Sequence, residues 1–177
     1  MNEAQETVDG VRVWDPVVRL FHWTLATAFF GAFFLDDPRN LHQALGYVAA
    51  GAVAVRVVWG FIGTRHARFA GFVPRPATFF GYFRDMSMGR EQRYLGHNPA
   101  GGAMVVALLT MVTLLGLTGW MMGLDAYWGA TWLEELHQTI ANLALGLVGL
   151  HLAGVLWESR RHGENLVAAM ITGLKRR

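Results

Sequence analysis

Hydrophobic positions in this chain gather into long runs at about 17–35, 41–63, 100–123 and 132–157, and the third of these carries no charged residue. Each run is close to the ~20 residues that cross a hydrocarbon core at 1.5 Å of rise per residue. None alternates with period two, and all are too long for barrel strands, so the pattern predicts helices. The polar breaks are unequal. Asp36 to Asn40 is short enough to force an antiparallel hairpin, whereas Thr64 to Pro99 has room for structure of its own. The expectation is an all-α integral membrane protein, a four-helix transmembrane bundle forming a single unit over 1–177.

Composition agrees. Of 177 residues, 53% are hydrophobic and 16% charged, against about 25% charged in soluble domains. The net charge of +2 matters less than where the charges lie. Arg65, Arg68, Arg75, Arg84, Arg90 and Arg93 face only Asp85 and Glu91 in the long break, and the tail holds Arg160, Arg161, Lys175, Arg176 and Arg177. The opposite breaks hold Asp36, Asp37 and Arg39, then Asp125, Glu134 and Glu135. The positive-inside rule therefore puts loop 64–99 and both termini in the cytoplasm of a bacterial inner membrane. The basic excess reads as topology and not as nucleic-acid binding. Glu3, Glu6 and Asp9 stand where a signal peptide would be basic, so the first run is expected to be a retained span. Tryptophans 14, 23, 59, 120, 128, 132 and 157 fall near the span ends as an interfacial belt. In the long break, Pro74-Arg75-Pro76 and the aromatics of 78–83 read either as a piece lying at the membrane surface or as a solvated loop with packed aromatics.

Chain chemistry centres on histidine, because the sequence has no cysteine. That excludes disulfides, iron–sulfur clusters and covalent c-type haem. His137 and His151 lie fourteen residues apart on the last span, about 40° short of four full turns, so they share a face and differ in height by ~21 Å. Intramembrane ionisable groups are costly and usually functional. Depth follows from counting. The first span leaves the cytoplasm, so His22 is near the inner surface, while His42 opens the second span at the outer one. His42 thus shares a level with His137, and His22 with His151; the other pairings are too far apart to share a metal. Any one of these histidines alone would read as a hydrogen-bonded core residue. Two imidazoles at each of two levels fit bis-histidine haem b, whereas zinc would want further protein ligands that do not stand nearby. The stripes between them, His137-Ala141-Ala144-Val148-His151 and His42-Gly46-Ala49-Val53-Arg56, are small enough for a macrocycle or for close helix packing.

Arg56 lies fourteen residues after His42, at the inner level, and Arg19 lies one turn below His22. Both are candidate partners of a haem propionate, with snorkelling to the surface as the plain alternative. His66, His97 and His162 read as surface histidines. His97, in Gly96-His97-Asn98-Pro99 at the membrane boundary, is also a candidate quinone or propionate contact, although Asn98-Pro99 is an ordinary helix start.

The chain resembles the bacterial di-haem cytochrome b561 family, which includes the b-type cytochrome subunits of nickel–iron hydrogenases. The resemblance rests on Val13-Trp14-Asp15-Pro16 with Arg19-Leu20-Phe21-His22-Trp23, on Arg56-Val57-Val58-Trp59-Gly60-Phe61, on Gly96-His97-Asn98-Pro99, on His137 and His151, and on the tail from Glu164 to Gly173. It implies a four-helix haem-b protein passing electrons between membrane quinone and a partner redox protein, with His22, His42, His137 and His151 as iron ligands. The acidic outer breaks point to a soluble partner such as a c-type cytochrome. Rival readings are a membrane-anchoring cytochrome subunit of a larger hydrogenase-like oxidoreductase, and an ion or proton transporter using histidine relays. The relay predicts polar stripes where the sequence has alanine, glycine and valine. Whether the protein is itself a quinone oxidoreductase is left open.

Overall fold

The computed structural model describes residues 10–35 and 37–176; Glu3, Glu6, Asp9, Asp36 and Arg177, used above for topology, lie outside them. Four long helices form the frame: α1 (Pro16–Phe34), α2 (Arg39–Ile62), α5 (Pro99–Met121) and α6 (Thr131–His162). All four are long and apolar enough to cross a membrane. The long break contains α3 (Phe69–Phe72) and α4 (Pro76–Ser87), and α7 (Leu166–Thr172) follows α6. Helix starts fall within two residues of expectation. α6 instead runs five residues beyond 157, because no breaker intervenes until Gly163, which ends the helix at φ 58°.

Antiparallel connection places the ends of the helices at two levels. At one, called the terminal end, lie the start of α1, the ends of α2 and α6, and both the first and the last described residues, Gly10 and Arg176. There β1 (Gly10–Arg12) pairs antiparallel with β2 (Leu174–Arg176), and the Val13 and Trp14 N–H groups donate to the Gly173 carbonyl. The other, the hairpin end, carries the α1–α2 turn and the start of α6. The core between them comes from all four frame helices: Ala28 and Phe29, Ala49 and Val53, Leu109 and Val112, and Ala144. α1 packs along α2, α2 on α5, and α5 along α6, whereas α6 scarcely meets α1 or α2.

Close approaches at the terminal end depend on absent side chains. A Cβ on Gly60 would stand 2.1 Å from the Phe69 ring, and one on Gly102 2.1 Å from the Phe72 carbonyl oxygen. These glycines let α3 wedge between α2 and α5. α4 forms a helix whose Tyr82 is buried while Phe80 stays 69% exposed. One aromatic of this helix thus packs into the bundle while another faces outward.

Asp15 joins the first two helices. Its Oδ1 accepts the Val18 N–H at 3.0 Å, capping α1, and its Oδ2 accepts the Thr64 hydroxyl at 2.6 Å and the Trp59 indole N–H at 3.1 Å. Burial alone would raise the Asp15 pKa, but the hydrogen bonds from Thr64, Val18, Trp59 and Val17 together hold it below its ordinary value of 3.8. The carboxylate's contribution to stability is therefore full above pH ~4 and is lost as the pH falls through the lowered folded-state value. Asp15→Ala is expected to destabilise the protein by about 2–4 kcal/mol, from a lost cap and two stranded donors. Melting followed by circular dichroism in detergent should show the gap between variant and parent closing in acid.

Candidate functional site

The four membrane histidines meet in two pairs at opposite ends of α6. His42 of α2 and His137 of α6 have ring centres 6.1 Å apart at the hairpin end. His22 of α1 and His151 of α6 have theirs 6.5 Å apart at the terminal end. Among the described residues no three metal-binding side chains cluster, so each level offers two imidazoles and no third donor.

Hydrogen bonds fix the hairpin-end rings. His42 Nδ1 lies 2.9 Å from the Ala32 carbonyl oxygen, which can only accept, so the proton sits on Nδ1. Thr118 Oγ1 donates its one proton to the Leu114 carbonyl at 2.8 Å and lies 2.8 Å from His137 Nδ1, so it accepts from that nitrogen. Both imidazoles therefore keep the Nε2 lone pair free, the arrangement in which a partner on one ring nitrogen orients the other as a metal ligand. Gly119 lets the His137 ring lie against α5, since a Cβ there would already be 3.5 Å from its Cε1.

Between these rings an open cleft with a cavity volume of about 150 Å³ runs among all four frame helices. Phe29, Phe33, Ala49, Val112 and Leu115 make it apolar, and a Cβ on Gly46 would project into it without meeting any atom within 4 Å. Arg39, Gln43, His42 and His137 supply polar groups. The cleft lies where α6 stands off from α1 and α2.

The terminal-end level differs in being covered. Arg56 is 2% exposed, with its guanidinium carbon 5.0 Å and 5.4 Å from the Phe69 and Phe72 ring centres. His97 packs its ring at 4.7 Å from Trp14 and 4.6 Å from Phe72. Burial above all, with Arg56, His151, Lys175 and His66 adding, pushes the His97 pKa down to about 3; it is neutral at physiological pH. Arg19 Nη2 donates to the Ile171 carbonyl. Among the described residues, Arg19 Nε, His22 Nδ1, Arg56 Nη1 and His97 Nδ1 are buried nitrogens without a hydrogen-bond partner. So many unpaired polar nitrogens at one level are unusual in a folded protein and mark a place suited to an anionic or accepting ligand.

A polar clamp closes the same end. The Tyr82 hydroxyl accepts from Asn98 Nδ2 at 2.9 Å and donates to Glu158 Oε1 at 2.7 Å. Burial, then that bond and the Glu158 charge, push the phenol well above its ordinary pKa. His162 Nε2 lies 3.2 Å from Glu158, so His162 belongs to the clamp and not to the histidine pairs. Neither Thr118 nor Tyr82 has a local sequence signature. Arg39 has one, since it precedes His42 by three residues as Arg19 precedes His22.

A family model for prokaryotic cytochrome b561 matches residues 13–173. Among curated relatives, a probable Ni/Fe-hydrogenase B-type cytochrome subunit of Azotobacter vinelandii is 26% identical, with 77% of this chain and 72% of that protein covered. A protein of the same description from Rhizobium leguminosarum bv. viciae is 22% identical over 93% of this chain and 88% of its own length. The probable Ni/Fe-hydrogenase 1 B-type cytochrome subunit of Escherichia coli (strain K12) is 22% identical over 69% and 64%. No solved structure matches. With the match running from before α1 to the end of α7, the chain belongs to the prokaryotic cytochrome b561 family and is a membrane b-type cytochrome of electron transfer.

Proposed function

We propose that the protein conducts electrons across the membrane through two b haems, one held by His42 and His137 and the other by His22 and His151. The observation that carries this is the spacing of the rings. A metal–imidazole bond of about 2 Å on each side, plus about 1.1 Å from ring nitrogen to ring centre, separates two trans imidazoles by about 6 Å. Ring-centre separations of 6.1 and 6.5 Å fit that value at both levels. A bound b haem would supply one-electron iron chemistry, and each would be held by one of these histidine pairs with no further side-chain donor clustered beside it. The chain's own work is to orient the rings through Ala32 and Thr118, to exclude water with Phe69 and Phe72, and to offer Arg19, Arg56 and His97 to propionates at the terminal end.

The uneven charge supports a direction across the bilayer. The basic long break and tail support a cytoplasmic terminal end, with both termini on the cytoplasmic side of a bacterial inner membrane. On this reading His97, neutral and with an unpaired ring nitrogen, is a contact for membrane quinone or for a propionate. Asp37, Asp125, Glu134 and Glu135 face the opposite side and suit a basic redox partner such as a c-type cytochrome. A second reading, a membrane-anchoring cytochrome subunit of a hydrogenase-like oxidoreductase, is favoured by the names of the relatives. Purification from the native membrane separates the two, because a stable complex would bring a large redox subunit with it.

Reduced-minus-oxidised spectra and haem assays test the ligand sets. His42→Ala and His137→Ala should each lower the content from about two haems per chain to about one, removing the same centre. His22→Ala and His151→Ala should remove the other; any variant that retains both would overturn its assignment. Thr118→Val should weaken haem retention tenfold to a hundredfold at the hairpin end alone, the usual effect of losing a ligand's orienting partner. Arg56→Leu should lower the potential or the retention of the terminal-end haem only, and an unchanged redox titration would remove its propionate role.

A further inference from the structure

We infer that Arg39 anchors the carboxylate edge of the tetrapyrrole at the hairpin end, so that the two haems turn their propionates toward opposite membrane faces. The inference rests on the two-haem reading above. Arg39, His42, Gln43 and Gly46 stand at positions i, i+3, i+4 and i+7 of α2 and line one wall of the cleft. Among the described residues lining it, Arg39 is the one permanent charge, and none is a carboxylate. The guanidinium carbon lies 5.8 Å from the Trp128 ring centre, within cation–π range. Trp128 is 74% exposed, so this contact holds Arg39 at the mouth of the cleft, not in its depth.

A tetrapyrrole bearing two carboxylates can enter an apolar cleft only if those charges stay in water or meet a cation. Arginine presents a planar fork that matches a carboxylate with two parallel hydrogen bonds. The cleft's imidazoles are not available for this. His42 and His137 already give their Nδ1 protons to Ala32 and Thr118. Of the donors left in the lining, Arg39 is the one cation; Gln43, one turn on, Tyr47 and Trp120 offer neutral groups.

The direction of the chain turns this local fit into a statement about both sites. Arg19 precedes His22, and Arg39 precedes His42, by three residues each, a rise of about 4.5 Å along the helix. Because α1 and α2 are antiparallel, Arg19 lies toward the terminal end from His22, while Arg39 lies toward the hairpin end from His42. Each cation is therefore on the aqueous side of its own imidazole. The span between the pairs holds Phe29, Ala49, Val53, Val112 and Ala144, with no donor for a carboxylate. Charged edges accordingly point outward at both levels, and the macrocycles' apolar edges face each other across the middle.

The test is spectroelectrochemical titration, with haem counts, of purified wild type, Arg39→Leu and Arg39→Lys. His137→Ala identifies which midpoint belongs to the hairpin end. An uncompensated carboxylate opposes addition of an electron, so Arg39→Leu should disfavour reduction of that haem at least tenfold, which is 59 mV for a one-electron couple. The other midpoint should stay in place, and Arg39→Lys should recover part of the shift. Loss of the hairpin-end haem from Arg39→Leu, with retention in Arg39→Lys, supports the same anchor. Two bound haems with both midpoints unmoved would overturn it and leave Arg39 a surface partner of Trp128. A shift confined to the terminal-end midpoint would overturn it as well. Fewer than two haems in the wild type would sink the parent reading, and the wild-type count alone tells that case apart.

Discussion

A polar imidazole in hydrocarbon is costly without a partner, and the meeting of histidines at two levels organises the molecule. α6 carries one histidine near each end of its membrane-spanning stretch, and an antiparallel hairpin is the simplest partner that can answer both. α1 brings His22 to the terminal end and α2 brings His42 to the hairpin end. Parallel helices would have delivered both partners to one level. α5 contributes no histidine but fixes the geometry, packing along α6 and giving Thr118 to orient His137. The gap between α6 and the hairpin follows from the same arrangement, because rings with centres about 6 Å apart hold their backbones too far apart for ridges-into-grooves packing at 8–10 Å. A rigid insert bound at each level would replace contacts that the helices themselves do not make, and ligation and assembly of the bundle would then be coupled.

The two levels are built unlike each other. The hairpin-end cleft is open, with one arginine at its mouth. The terminal end is covered by α3, wedged in at Gly60 and Gly102, and sealed by the Tyr82–Glu158 clamp and the β1–β2 pair. Lys175 of β2 is 6% exposed and reaches both Glu164 and the Tyr94 carbonyl, so the β1–β2 pair covers that side. Low dielectric strengthens every charge interaction beneath it. Arg56 and His97 therefore have more influence on a ligand there than exposed residues of the same type would.

Much of this was legible in the sequence because lipid is a demanding solvent. Four apolar runs could only be helices, and charge asymmetry and a fourteen-residue interval ordered the histidines by depth. The pairing of His22 with His151 and of His42 with His137 needed only helical rise and antiparallel chain direction. What stayed hidden involves contacts between residues distant in sequence. Asp15 reads as a cap for α1, but its bonds to Trp59 and Thr64 depend on how the hairpin closes. Tyr82 and Glu158 meet across 76 positions, and nothing local to either announces the other. The aromatic stretch at 78–83 lies in a helix and not in an irregular loop, and it buries Tyr82 while exposing Phe80.

The material between the two histidine levels separates the kinds of charge this bundle can move. A proton relay needs donors and acceptors at hydrogen-bond intervals, since each transfer spans a single bond. Between His137 and His151 the inward stripe is Ala141, Ala144 and Val148, and the facing stripe of α2 is Gly46, Ala49 and Val53. Ala144, Ala49 and Val53 are buried in the shared core with Val112 and Leu109. The side chains of these stripes carry no donor or acceptor for a proton or a hydrated ion. An electron needs no hydrogen-bonded path, only closely spaced centres, and small side chains at these positions leave the room that would bring two macrocycles near each other. The apolar middle thus insulates against leakage of ions while permitting conduction, which is what a membrane cytochrome requires of its core.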